Sequence, residues 1–457
     1  MSKIEVNTIE PQCGTTLTLG ASGDTVTIPA GATITNNGTQ TGFGRTGAVD
    51  WVTTPKTSTF TGVSGNGYFI NSGSALTCNL PAGTAGDIIA FSDYARNFAT
   101  YPFTISPNGS EKIGGQAHDA SLNINGQAAT FVYVDSTKGW INVQNAEDTE
   151  QGASPYIVAS GGTETTSGDY KIHTFTGPGS FVVSQAGTPG GSTTVDYLVI
   201  AGGGGGAGGK AYNAGTTGGG GAGGYRFSSG TASGSYCAGP APLGASALAV
   251  PVQSYPITVG AGAAAQTCSG PGTPGVNLGL PGNPSIFSTI TSTAGGGGKA
   301  LPGGNPAAPG GSGGGGNYEN TPGGTGNDPP TSPAQGNPGG SGGSPFLAGG
   351  GGGAGGNGNN GAGSTSGAGG NGLASSITAS PVTRGGGGGG QGANSTSPGA
   401  GGPGGGGAGG SPSVLAGDGT ANTGGGGGAA NSNPHPSPTT VTGAGGSGLV
   451  VIRYKYQ

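Results

Sequence analysis

Apolar and polar residues alternate in short stretches through the first part of the chain, and each stretch is closed by turn formers. Thr15-Thr-Leu-Thr-Leu19, Thr25-Val-Thr-Ile28 and Ala32-Thr-Ile-Thr35 read as strands too short to bury their own apolar face. They need partners, and identical copies of the chain wound together supply them while removing the open edges. From residue 51 the stretches lengthen: Gly67-Tyr-Phe-Ile70, Asp87-Ile-Ile-Ala-Phe91, Phe103-Thr-Ile105, Ser121-Leu-Asn-Ile124, Ala129-Thr-Phe-Val-Tyr-Val134 and Gly139-Trp-Ile-Asn-Val143. Asn66-Gly67, Asn108-Gly109, Asn125-Gly126 and Lys138-Gly139 punctuate them at the spacing of an antiparallel sandwich or barrel, with Phe131 and Trp140 as core anchors. The carboxylates of Glu147-Asp-Thr-Glu150 read as a solvated linker.

A second set of strands follows: Tyr156-Ile-Val158, Tyr170-Lys-Ile-His-Thr-Phe175, Ser180-Phe-Val-Val183, Val195-Asp-Tyr-Leu-Val-Ile-Ala201, Ser254-Tyr-Pro-Ile-Thr-Val259 and Ser285-Ile-Phe-Ser-Thr-Ile-Thr291, with Leu449-Val-Val-Ile-Arg-Tyr454 closing the chain. The strand at 195–201 and the closing strand bracket a region almost without packable side chains, and we expect them to pair in one sheet that carries it. Within that region, runs of four or more glycines begin at Gly202, Gly218, Gly295, Gly313, Gly349, Gly385, Gly404 and Gly424. Their intervals are uneven, so there is no fixed repeat unit.

Glycine (114) and proline (33) make up about a third of the 457 residues, a share at which aperiodic chains are usually disordered. Charged residues, however, are only 7% and the net charge is −5, whereas disordered chains are typically highly charged. An ordered alternative is a set of polyproline-II-type rods, with three residues per turn and about 3.1 Å rise. Such rods make no internal hydrogen bonds, and glycine lets them approach until they satisfy one another. The fold class expected is therefore mainly β with extended polyglycine-II-type helices and almost no α-helix. It comprises short intertwined strands at the N-terminus, a β-sandwich or barrel-like domain, and a glycine-rich lattice on a small sheet. The divisions are 1–50, 51–145, a linker and the start of the second β segment at 146–167, and 168–455.

Glycine does not fall on every third position, which excludes collagen, and the 13 scattered basic residues leave no footprint for nucleic acid. No apolar run approaches the ~18 residues of a membrane span, and Met1–Asn7 lacks an apolar signal core, so assembly in a cytoplasm without membrane insertion is expected. Cys13, Cys78, Cys237 and Cys268 stand apart and read as free thiols, with a Cys237–Cys268 bridge left open. Gly203, Gly205 and Gly208 satisfy GxGxxG, but neither a helix former nor an acid about 20 residues on accompanies them, so no cofactor is expected. Between residues 202 and 448 the only acids are Glu319, Asp328 and Asp418, a poor supply for the carboxylate pair of a polysaccharide-cleaving enzyme.

The series Val195–Gly206, Gly218-Gly-Gly-Gly-Ala-Gly-Gly-Tyr-Arg226, Tyr255-Pro-Ile-Thr-Val-Gly-Ala261, Ser285–Gly298 and Gly445–Tyr454 resembles the glycine-rich distal domain of bacteriophage tail fibres. The opening Met1-Ser-Lys-Ile-Glu-Val-Asn-Thr-Ile9 is similar to virion-proximal ends of fibres from marine and cyanobacterial phages. T-even-like tail-tip adhesins are similar too; they pack glycine motifs as polyglycine-II helices and touch the receptor with the connecting loops. Those adhesins cap a separate fibre, whereas this chain carries its own stem, so a homotrimer is expected. The resemblance implies a virion tail fibre, joined to a tail, baseplate or adaptor protein through residues 1–50 and gripping a bacterial surface receptor, protein or glycan, through its loops. An enzymatic tailspike is the alternative, and a glycine-rich matrix protein ranks last. The contact residues expected are Asn317, Tyr318, Glu319, Asn320, Phe346, Leu347, Asn357, Asn359, Asn360, Asn433 and His435, with the aromatics and the histidine as anchors.

Overall fold

The computed structural model describes residues 9, 15–18, 23–27, 49–144, 154–188, 191–209, 216–230, 244–268, 278–300, 306–393, 395–431 and 440–457, in two compact units, Met1–Gly152 and Ala153–Gln457. Among the described residues there are strands and no helices. Of the N-terminal pieces, only 15–18 and 23–27 fall among these residues; both are exposed and neither forms a strand within the single chain. The remaining N-terminal stretches, Cys13 and Cys237 lie outside the described residues.

In the first unit the chain alternates between two sheets. Asp50–Lys56, Asn66–Ile70 and Ile88–Asp93 pair in parallel in one, and Phe60–Thr61, Leu76–Asn79 and Phe103–Ser106 pair in parallel in the other. Ala120–Leu122 then closes the second sheet, and Ala128–Asp135 with Gly139–Asn142 closes the first, all antiparallel. This corrects the expectation of an antiparallel sandwich or barrel: the first circuits form a short coil, and no barrel closes. A strand reached after a full circuit runs the same way as its predecessor, and hydrophobic alternation carries no record of that. Asn66-Gly67, read as a turn, instead begins a strand, and Gly67 is required because a Cβ there would lie 2.8 Å from the Trp51 ring. Phe131 and Trp140 are fully buried in the core between the sheets, as expected, with Phe91, Phe98 and Phe103. Cys78 is a buried free thiol in the same core, and burial pushes its pKa up to about 12.

The second unit is built on two sheets. One orders Val158–Ser160, Gly179–Gln185, Gln253–Thr258, Ser285–Phe287 and Ile290–Ser292. The other orders Thr163–Ser167, Tyr170–Phe175, Leu449–Lys455, Thr194–Ile200 and Tyr225–Phe227. The closing strand pairs antiparallel with Thr194–Ile200, from Asp196 opposite Arg453 to Ile200 opposite Leu449. Both strands are apolar almost throughout because both faces are covered. Phe181, Tyr255, Ile257 and Phe287 pack on one side with Val199, Ile452 and Tyr454, while Ile377, Tyr225 and Phe227 pack on the other with Leu198, Ile200 and Val451.

From this base the chain runs out and back as extended rods. The rod 201–207 shows the bonding rule. Gly203 and Gly206 donate their N–H to the carbonyls of Gly446 and Gly443 (3.0 and 3.1 Å), Gly204 and Ala207 to Gly221 and Gly218 (2.9 and 3.1 Å), and Gly202 and Gly205 to Asn283 and Leu280 (2.9 Å each). Its carbonyls accept in the same rhythm: Gly202 and Gly205 from Gly295 and Gly298, Gly204 and Ala207 from Gly427 and Ala430, and Gly203 from Ala263. A three-residue period is that of the polyproline-II helix, whose main-chain groups point sideways at successive thirds of a turn. Partner numbering falls along the donor side and rises along the acceptor side, so 201–207 donates to three antiparallel rods and accepts from three parallel ones. Rod 217–224 is likewise bonded to rods on every side, through partners such as Gly296, Gly352, Gly427, Ser312 and Gly388.

Steric contact explains the composition. A Cβ at Gly203, Gly204 or Gly206 would overlap the carbonyl of Gly425, Gly296 or Gly428 on a neighbouring rod. At Gly205 the nearest atom is the Ala263 Cβ at 3.3 Å, which leaves almost enough room. Positive φ is confined to rod ends, as at Gly424 (φ 67°), where the chain turns into rod 424–430. Outer rods carry side chains at outward positions: Pro281, Pro284, Pro306, Pro309, Pro322, Pro338 and Pro403 are all exposed. Proline has no N–H to leave without a partner there. Each bond contributes about 1 kcal/mol net, against a backbone ordering cost of about 1–2 kcal/mol per residue, so the block balances only when nearly all its bonds form together.

Two outcomes follow from this packing. Gly204→Ala should destabilise the unit by on the order of 3 kcal/mol in denaturant unfolding, and Gly205→Ala by less than about 1 kcal/mol. Equal effects would show that the steric rule is wrong. His173, fully buried, hydrogen-bonds through Nδ1 to the Gly161 carbonyl (2.7 Å) and through Nε2 to the Tyr454 hydroxyl (3.0 Å), and it stacks on the Tyr454 ring. Burial lowers its pKa from 6.5, despite Glu164 at 3.8 Å. The unfolded chain therefore takes up a proton that the folded chain refuses, and stability should fall as pH drops below about 6.5. Thermal unfolding between pH 8 and 5 measures this, and His173→Gln should flatten the dependence.

Candidate functional site

Out-and-back rods give the block two kinds of end. At one, the chain passes into the sheets, as where 217–224 enters Tyr225–Phe227. At the other, away from the two main sheets, the described turns reverse the chain. Rod 311–316 reaches this far end with Gly315 bonded to Gly219 and donated to by Lys299, residues at the outer ends of their own rods. The turn after it, 317–320, and the turn 343–347 therefore belong to the far end.

These two turns meet. The rings of Tyr318 and Phe346 stack with centroids 5.8 Å apart and planes at 26°. Phe346 is 37% exposed, and its backbone sits at φ 59°, an outlier for a bulky residue. It is held there by reciprocal bonds across its turn, Gly343 N–H to the Leu347 carbonyl (2.8 Å) and Leu347 N–H to the Gly343 carbonyl (3.2 Å). Leu347 itself is 2% exposed and anchors the turn. Asn320 is exposed at φ 55°, and the exposed Glu319 carboxylate lies near the Tyr318 hydroxyl. Partial burial, then the neighbouring Glu319 carboxylate, raise the Tyr318 pKa. Asn317 is fully buried beneath, and neither of its side-chain amide atoms has a hydrogen-bond partner.

Expected contact residues are thus divided. Exposed Glu319, Asn320 and Phe346 gather about the half-buried Tyr318, while Asn317 and Leu347 are interior supports that present no side chain outward. Asn360 belongs beside the cluster: its Oδ1 accepts the Ser341 N–H (2.8 Å), and Gly361 N–H bonds the Ser341 carbonyl. Asn359 is exposed along the same rod. Asn357 lies at the sheet end, beside the 353–356 turn where Ala354 packs against the apolar cluster of Tyr225. Asn433 and His435 lie outside the described residues. Val414 and Leu415, 55% and 56% exposed after a far-end turn closed by Ser411 and Val414, were missed. Their sequence signature is Ser-Pro with two apolar residues close behind it between glycine runs, as in Ser411-Pro-Ser-Val-Leu415 and Ser344-Pro-Phe-Leu347.

Gly203 and Gly205 have given their N–H groups to Gly446 and Leu280, so the GxGxxG match has none left at these positions for a phosphate. Glu319 stands at the far end and Asp328 at the sheet end, about 19 Å apart along rod 321–326 at 3.1 Å per residue. That is well beyond the roughly 5–10 Å of a glycosidase carboxylate pair.

Architecture and end group together define a main-chain-bonded glycine block that stands on β-sheets and displays turns at its free end. A family model described as a glycine-rich domain matches residues 176–455, more than half of the chain, and the chain belongs to that family. No curated protein matches it.

Leu347→Ala should cost about 2–4 kcal/mol of unfolding free energy, because it empties the anchor of the turn. Phe346→Ala, an exposed ring, should cost no more than about 1 kcal/mol. The same chemical unfolding series measures both.

Proposed function

We propose that this chain is a bacteriophage tail fibre protein, homotrimeric, that joins the virion through residues 1–50 and recognises the host surface with the far-end turns of its glycine block. The observation that carries the reading is the Tyr318–Phe346 pair, a half-buried ring stacked on an exposed one at the end of the block away from the two main sheets, with turns fixed by main-chain bonds. Turns ordered before contact lose little entropy on docking, so a few exposed side chains can bind tightly. Aromatic rings are the side chains that give most contact energy at such positions. The resemblance of residues 168–455 to distal fibre domains, and of residues 1–9 to virion-proximal ends, supports the same assignment.

The test uses the particle and its host. Antibody against the chain should label a discrete fibre by electron microscopy, and purified full-length protein in excess should compete with the particle for adsorption. Sedimentation should give three times the 42.5 kDa chain mass. Label on bulk matrix, or adsorption unchanged by excess protein, would overturn the assignment. Release of reducing sugar from host envelope would favour a tailspike instead.

A further inference from the structure

We infer that the Tyr318–Phe346 pair, with Glu319 and Asn320, is a subsite for a neutral pyranose ring of a cell-surface glycan. This rests on the receptor-binding reading above and narrows the partner's chemistry. Because the two rings stack on each other, each spends one face within the pair, and the exposed side of Phe346 remains for an apolar sugar face. A pyranose has such a face, made of axial C–H groups, and a rim of hydroxyls that need hydrogen-bond partners. The rim partners are present: the exposed Glu319 carboxylate can accept through both oxygens, and the exposed Asn320 amide can both donate and accept.

Two further observations select this ligand class. Glu319 is the one charged residue within the two turns, Asp328 is at the opposite end, and Lys299, whose N–H bonds the Gly315 carbonyl, is outside the turns. The carboxylate inside the cluster would repel a phosphorylated or carboxylated sugar, which favours a neutral one. The backbone is also organised to keep the cluster presented. Phe346, a bulky residue, is held in the left-handed region, fixed there by reciprocal bonds and the buried Leu347. Non-glycine residues in that region concentrate at ligand-binding sites, because packing must hold them there against their own preference.

The experiment measures binding of labelled full-length protein to cells of the host, untreated, oxidised with periodate, or digested with protease. Binding should be abolished by periodate, which cleaves vicinal diols, and should survive protease. Phe346→Ala should weaken it about tenfold, and Phe346→Trp should retain it. Glu319→Gln, at an exposed position, provides a second variant independent of the turn's folding and should also weaken binding; circular dichroism melting checks that each variant is folded. Methyl hexopyranosides at millimolar concentration should compete, while sialic acid should not. Binding that survives periodate, is lost with protease, or is unchanged in the folded variants would overturn the subsite and leave the receptor-binding reading standing. Failure of the wild-type protein to bind any host cell would overturn both.

Discussion

Inner residues give their N–H to one neighbouring rod and their carbonyl to another, and at positions such as Gly203, Gly204 and Gly206 these bonds bring main chains too close together for a Cβ. The other features of the second unit adapt to that spacing. Side chains are pushed outward to exposed positions, and apolar residues are concentrated in the sheets below. Thr194–Ile200 and Leu449–Lys455 carry out the conventional part of folding by burying aromatic and branched residues on both faces. They thereby fix where the first and last rods begin. The sheet acts as a template whose strand ends start the lattice in register, and loop closure between distant rods is made affordable by the bonds that follow.

Part of this arrangement was legible in the sequence, because some residue types have few alternatives. Two apolar strands bracketing a region of glycine had to pair somewhere, and Asp196 to Ile200 pair with Arg453 to Leu449. Phe131 and Trp140 were too large to lie outside the first core. The circuits of the first unit were not legible, since alternation records which face a residue occupies and not the direction of the strand. Asn66-Gly67 imitated a turn for a reason that exists only in three dimensions, the Trp51 ring lying over Gly67.

At the candidate site the same limit appears in another form. Asn317, Leu347 and Asn357 looked equivalent to Tyr318 and Phe346 as loop residues between glycine runs. Which end of the block a turn occupies depends on whether its rod runs out or back, and burial depends on rods far away in sequence. Leu347 turned inward under a turn that Phe346 faces outward. The pairing of Tyr318 with Phe346 across 27 intervening positions follows from two intervening rods, 321–326 and 336–342, that run to the sheet end and back, information that no local pattern holds. The chemistry of the cluster was nonetheless visible as residue types: rings, one carboxylate and amides in a stretch almost free of charge.

The threefold rhythm of the rods also constrains how such a gene can change. Adding or deleting a single residue inside a rod would turn every later N–H and carbonyl of that rod by a third of a turn, toward the wrong neighbours; only steps of three preserve the phase. A far-end turn has no such bookkeeping, because its length changes nothing in the rods on either side. Length variation should therefore accumulate in the turns one residue at a time and in the rods only by triplets, leaving a reading frame written in space above the one written in codons.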